Sequence, residues 1–187
     1  MDNLSGLKRR SFFGAAAVLI LIALDQWTKS LAVTYLKGQA PVSLIRNILE
    51  LLYVENSGAA FGIMNGMRLI FVLLAPAVSI LLAWILWKMP QRSRFFPIRL
   101  CMTLIIAGAL GNWIDRLRQG YVVDFIYFKP IDFPVFNVAD IYVTCAAFGL
   151  IFLLLFFYTE EEANEIPLLG SKKKDGQRDK EDTKDGE

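Results

Sequence analysis

The chain has 187 residues, 55% of them hydrophobic and 20% charged, against about 45–50% and ~25% in an average soluble domain; its mean hydropathy is +0.44. It has no histidine and two cysteines, which excludes Ser-His-Asp and Cys-His nucleophilic sites, HExxH metalloprotease helices and paired-thiol redox chemistry. The formal net charge of +2 conceals a split: residues 1–158 hold 14 Lys/Arg against 8 Asp/Glu, and residues 159–187 hold 6 against 10.

Four membrane spans are predicted. The first runs from Phe12 through an apolar stretch to Leu24, then on through Asp25-Gln-Trp-Thr-Lys29 to about Tyr35. The second, Leu69–Trp87, carries no charge; at 1.5 Å per residue it reaches about 28 Å, close to the ~30 Å hydrocarbon core of a bilayer. Pro76 predicts a kink within it. The third covers about 98–114 and contains Gly108 and Gly111, and the fourth runs from about Asp140 to Tyr158. Cys101 and Cys145 sit singly in apolar runs and are expected to be small buried hydrophobes. The segment 36–68 contains a strand-like stretch, Ile48–Val54, punctuated by Asn56-Ser-Gly58. It is apolar enough to lie on the membrane surface against the helices. The mixed-charge segment 159–187 is expected to be a disordered tail. The chain therefore divides into a four-span domain, 1–158, and a tail.

Placement of Lys and Arg gives the expected orientation. Lys8, Arg9 and Arg10 precede the first span, and the 88–99 connector holds Lys88, Arg92, Arg94 and Arg99 with no acid. Both termini and this connector are therefore expected inside, with the longer connectors 36–68 and 115–139 outside. A cleavable signal peptide ending near Ser30-Leu-Ala32 is the alternative for the N-terminus; a retained span keeps the charge asymmetry intact.

Ionisable residues near membrane depth are costly and mark sites. Outside the tail and the inner loops they gather toward the outer ends of the spans. Asp25 and Lys29, four residues apart, read either as an intrahelical ion pair or as groups that hold a polar ligand. Asn112, Asp115 and Arg116 share one helical face and read as a helix-end network or as groups that orient a catalytic residue or a phospholipid-like substrate. Asn56-Ser-Gly-Ala-Ala-Phe-Gly62 reads as a tight turn or as a place of close backbone approach. Asp124 lies in an apolar stretch and Asp140 at a helix start; singly they are a loop acid and a first-turn acid. Together, at matched depth in a protein without histidine, they suggest a carboxylate pair sharing one proton. Such a pair supplies both the base and the acid that peptide hydrolysis needs.

The ordered set Asp25-Gln-x-x-Lys29, Asn56-x-Gly-Ala-Ala-Phe61, Gly111-Asn-x-Ile-Asp-Arg116, Gly120-Tyr-Val-Val-Asp-Phe125 and Phe136-Asn-Val-Ala-Asp140 resembles the lipoprotein signal peptidases (signal peptidase II) over about residues 10–158. The resemblance implies an all-α integral membrane protein, with four transmembrane helices and a small extracytoplasmic β-rich cradle formed by 36–68. It implies an aspartyl endopeptidase of the bacterial cytoplasmic membrane that cuts diacylglyceryl-modified prolipoproteins just before the lipobox cysteine. Asp124 and Asp140 would be the catalytic pair, with Asn112, Asp115, Arg116 and Asn137 supporting it. Asn56, Gly58 and the small residues after them would meet substrate backbone, and Asp25 with Lys29 would lie near the substrate's lipid-bearing end. No metal and no organic cofactor is implied; the partners are prolipoproteins and membrane lipids, not nucleic acid, and the chain is expected to act as a monomer. Ile141 departs from the small or hydroxyl residue that often follows the last motif. A small proton-coupled transporter is the alternative, but it predicts midplane acids and often an internal repeat, and this sequence has neither.

Overall fold

The computed structural model describes residues 2–58 and 68–170. Helices α1 (Asp2–Tyr35), α2 (Arg68–Lys88), α3 (Phe96–Arg118) and α4 (Val138–Phe152) form a bundle, and α4 continues as a π-helical segment, Leu153–Phe157. The stretches Phe13–Tyr35, Leu69–Lys88, Ser93–Arg118 and Val138–Phe157 are each long and apolar enough to cross a bilayer. The third exceeds the expected 98–114 at both ends. Hydropathy fades at Arg99 and Asp115, but helical hydrogen bonding does not.

Helix α3 is the hub. It packs on α1, α2 and α4, and 44% of its apolar stretch is buried in protein, against 17%, 11% and 17% for the other spans in chain order. Small residues let it approach α4 closely: a Cβ on Gly108 would lie 2.5 Å from the Ala139 carbonyl oxygen and 2.7 Å from Val143 Cγ2. Lipid-facing surfaces are apolar too, so an apolar run does not imply burial within the protein. This corrects the expectation for the cysteines: Cys101 is half-buried and Cys145 exposed.

Pro76 lies inside α2, where it removes the amide that would have bonded to the carbonyl four residues earlier. That carbonyl belongs to Val72, and the Trp113 indole Nε1 of α3 donates to it at 2.8 Å. The orphan acceptor thus becomes an interhelical tie, as a bilayer demands of any freed backbone group.

Three antiparallel strands cap one end of the bundle: β1 (Val42–Ile45), β2 (Leu49–Asn56) and β3 (Val122–Phe128), in the order β1-β2-β3. Asn47 takes the turn before β2 with φ 60, a left-handed value that asparagine tolerates. Of the strands, only β2 coincides with the strand-like stretch expected at 48–54. β3 is buried through Val122–Phe125, and it is contributed by the connector between α3 and α4. Its register sets Val54 opposite Asp124 and Asn56 opposite Val122. The Phe136 carbonyl accepts from the amides of Phe125 and Ile126 at 3.0 and 2.9 Å, which stitches the start of α4 to the same sheet.

At the other end, the segment after α4 is ordered where a disordered tail was expected. Thr159 caps α5 (Glu160–Asn164) through a reciprocal bond with Glu162, and Ile166 is 2% exposed among Ile85, Phe95 and Tyr158. Arg94 holds Glu162 at 2.8 Å and stacks on Phe157. Charge composition obscured this clasp because a single buried isoleucine anchors it. The remainder of the expected tail, 171–187, lies outside the described residues.

Trp113→Phe strands the Val72 carbonyl and is expected to cost about 1–3 kcal/mol, read as a lower thermal midpoint in detergent. Pro76→Ala restores the intrahelical donor, so Trp113→Phe in that background should cost well under half as much. Equal costs in both backgrounds would disprove the tie.

Candidate active site

The polar residues singled out in the sequence converge where α1, α3, the start of α4 and β3 meet. Asn137 is the N-cap of α4 and Asp140 its third residue, the spacing of a capping box. The Asp140 amide donates to Asn137 Oδ1 at 3.1 Å, and the Asn137 amide donates to Asp140 Oδ2 at 3.0 Å. The first-turn reading of Asp140 holds, and its other oxygen is turned toward Asn112.

Asp124 reaches the same point from β3, where it is 2% exposed. Asn137 Nδ2 donates to its Oδ1 at 2.6 Å, and Asn56 Nδ2 at the end of β2 donates to its Oδ2 at 2.8 Å. Asn112 of α3 donates through Nδ2 to Asp140 Oδ1 at 2.8 Å, and its Oδ1 accepts from Asn137 Nδ2 at 3.1 Å. One asparagine, Asn137, thus bonds to both carboxyl groups. Burial pushes the Asp124 carboxyl up to about 6; the charge of Asp140 adds to the rise, and the Asn56 and Asn137 donors and the Lys29 charge oppose it.

Behind this pair lies a buried ion cluster. Lys29 Nζ sits 2.9 Å from Asp25 Oδ2, 2.9 Å from Asp115 Oδ2 and 2.8 Å from Asn112 Oδ1, so its ammonium has three acceptors for three protons. Gln26 Nε2 donates to Asp115 Oδ1 at 2.8 Å and to the Gly111 carbonyl at 3.2 Å. Gly111 leaves the room this needs, since a Cβ there would stand 2.6 Å from Asp25 Oδ2. Asp25 and Lys29 are 0% and 3% exposed. In the structure their polar atoms bond to protein partners. The ion-pair reading describes them, extended from one helix to two.

Arg116 Nη2 donates to the Gly58 carbonyl at 3.1 Å, and its guanidinium lies over the Phe71 ring at 4.8 Å. The Gly58 amide in turn donates to Asn56 Oδ1 at 3.0 Å, an Asx turn that fixes which amide face Asn56 shows to Asp124. The tight-turn reading of this segment holds as far as Gly58. Ala59, Ala60, Phe61 and Gly62 lie outside the described residues. Gln26 was quoted within a motif but not expected at the site; the signal that marks it is an amide beside Asp25 inside an apolar span. Among the described residues no three metal-ligating side chains come together.

Residues 17–157 match the family model described as signal peptidase (SPase) II. The chain belongs to the signal peptidase II family. A lipoprotein signal peptidase of Streptococcus pneumoniae is 43% identical over 159 residues, covering 83% of this chain and 97% of that protein. One from Caldanaerobacter subterraneus subsp. tengcongensis is 42% identical over 140 residues, covering 74% and 93%. A solved bacterial membrane enzyme, determined in meso at 1.9 Å, superposes with TM-score 0.68 at 32% identity, covering 78% of this chain and 94% of that one. This signal peptidase is thus a multi-pass membrane peptidase whose family region spans all four helices and the sheet.

Removing the ammonium leaves two buried carboxylates facing each other. Lys29→Met in this signal peptidase is expected to cost about 3–5 kcal/mol, seen as a collapse of the thermal midpoint in detergent. Adding Asp25→Asn and Asp115→Asn to Lys29→Met should recover a good part of it. A Lys29→Met protein as stable as the parent would contradict the cluster's geometry.

Proposed function

We propose that this signal peptidase is an aspartic-type endopeptidase. In this reading Asp124 and Asp140 are the catalytic pair, and the substrate is a diacylglyceryl-modified prolipoprotein cut just before the lipidated lipobox cysteine. The observation that carries it is the Asn137 side chain and amide bonded to both carboxyl groups. A buried carboxyl and a half-buried one held within one residue's reach favour a shared proton, because a second negative charge so close to the first is costly. The names of the relatives supply the substrate class.

In the reaction, the ionised carboxyl takes a proton from water as its oxygen attacks the scissile carbonyl carbon. The protonated carboxyl gives its proton to the carbonyl oxygen, forming a neutral tetrahedral diol. Collapse returns a proton to the pair from one hydroxyl as the C–N bond breaks and the leaving nitrogen is protonated. Asn112, Asn56 and Asn137 hold the carboxyl oxygens in place, and Arg116 holds the turn at Gly58 against which substrate backbone would lie. The positive-inside distribution of Lys and Arg supports both termini in the cytoplasm and the sheet end on the extracytoplasmic face of a bacterial inner membrane. A substrate already anchored by its lipid would then reach the site by lateral diffusion.

Asp124→Asn and Asp140→Asn are each expected to abolish cleavage of a diacylglyceryl-modified prolipoprotein in detergent while leaving the thermal midpoint near that of the parent. Folded variants that still cut would end the aspartic reading.

The pH profile offers a second test. Asp124 titrates at about 6 in the folded protein, above its ordinary 3.8, so the shared proton is lost as pH rises through that value. The alkaline limb of kcat/KM should lie there in the free enzyme. Asn56 opposes the rise by bonding to the charged form, so Asn56→Ala should move the alkaline limb upward as well as lowering kcat/KM. The same sign applies to stability: Asp124 favours the folded state fully below about 3.8 and loses that contribution as pH climbs toward about 6.

A further inference from the structure

The buried ion cluster ends on two backbone amides with a particular place in the sequence. Asp25 Oδ1 accepts from the Ala139 amide at 3.0 Å, and Asp115 Oδ2 accepts from the Val123 amide at 3.4 Å. Ala139 immediately precedes Asp140, and Val123 immediately precedes Asp124. The two acids are joined through Lys29, which lies 2.9 Å from each. A continuous chain of charge-assisted bonds therefore runs from the backbone before one carboxyl to the backbone before the other.

We propose that Asp25, Lys29 and Asp115 form one positioning unit that fixes the separation of Asp124 and Asp140 by holding the amides before them. The inference rests on the aspartic reading above. A short side chain such as aspartate swings about its own Cα, so the spacing of two carboxyls is set by where their backbones are pinned. Strand β3 and helix α4 are tied to each other on one side by the Phe136 bridge to Phe125 and Ile126. The unit adds a second tie, from α1 and α3, at the residues directly before the two carboxyls. Asn112 and Asn137 then set the rotation of the carboxyls, a different task.

Spacing has a signature that stability lacks. Two carboxyls repel when both are charged, so their apparent pKa values part, and the gap shrinks as they move apart. Neutralising one acid of the unit changes the local charge and moves both limbs of a pH profile the same way. Loosening the spacing moves them toward each other. The gap therefore separates positioning from simple electrostatics.

The test uses the full chain in detergent, with the prolipoprotein substrate, and the variants Asp25→Asn, Asp115→Asn and their combination. Each variant is assayed for kcat, KM and the width of the pH profile, with Asp124→Asn as the reference for the aspartic reading. Asp25→Asn keeps an oxygen for the Ala139 amide but loses the Lys29 pairing. The expected result is a fall in kcat of tenfold or more with KM within about twofold, and a narrower profile. The double variant should fall by less than the product of the two single losses, because both act through Lys29. If Asp124→Asn is dead while Asp25→Asn and Asp115→Asn keep the parent's profile width, the positioning unit is overturned and the aspartic reading stands. If Asp124→Asn remains active, the aspartic reading fails first. Variants that fold poorly but keep the parental kcat per folded molecule also overturn the unit, since they show a stability role alone. Asp25→Glu, which retains the charge, should recover more of the profile width than Asp25→Asn; no recovery would point against the unit.

Discussion

Four carboxyl groups, Asp25, Asp115, Asp124 and Asp140, gather toward one end of a helix bundle, with the Lys29 ammonium paired to the first two. A low-dielectric interior does not tolerate that much negative charge, and the rest of the site follows from how it is relieved. The protein sorts the acids by partner. Asp25 and Asp115 contact the ammonium directly, at 2.9 Å each. Asp124 and Asp140 are supported by side-chain amides, from Asn56 and Asn137 on one and Asn112 on the other. Asp25 and Asp115 thus neutralise a buried cation, while Asp124 and Asp140 have side-chain amides as their direct partners. The ion cluster and the proposed catalytic pair are thus two answers to one electrostatic constraint.

The same constraint accounts for the architecture around the site. Asparagine amides must come from several directions to reach both carboxyls, and they do: Asn56 from β2, Asn112 from α3 and Asn137 from the cap of α4. A helix bundle by itself offers donors only from its parallel faces. The sheet adds a transverse approach, and its third strand comes from the α3–α4 connector, so Asp124 is delivered across the bundle axis toward the start of α4. Closeness of α3 to its neighbours matters equally: Gly108 admits the Ala139 carbonyl of α4, and Gly111 admits the Asp25 carboxyl of α1.

Much of this was legible before any coordinates. Apolar runs marked the four spanning helices, because a bilayer imposes a length that no soluble core imposes. The acids stood out because an ionisable group in an apolar run has to be explained. What escaped was whatever depends on partners distant in sequence. β3 reads as an apolar loop because its residues are buried on both faces and show no alternation. α5 reads as tail because its Glu162, and Glu165 just after it, pair with Arg94 and Arg92 of a connector about seventy residues earlier. Asp25 and Lys29 carried the right pairing, but their spacing of four gave no hint that Asp115 and Asn112 complete the ammonium's coordination from another helix. Cys145 misled for the converse reason: its apolar surroundings are lipid-facing residues of the same helix.

The Val72 carbonyl shows how far local and global order are interlocked. Pro76 is the residue that a helix propensity scale penalises most, and in water the freed carbonyl would simply find solvent. In a bilayer it has to be met by protein, and Trp113 meets it. Trp113 also stands one residue after Asn112, on the helix that carries the site. The proline in α2 therefore fixes the height of α2 against α3 at the level where Asn112 reaches Asp140. A register slip of one turn between those helices, about 5.4 Å, would break the indole bond. It would also carry Phe71 away from the Arg116 guanidinium that holds the turn at Gly58. A residue that weakens its own helix thus supplies the contact that sets the register of the next.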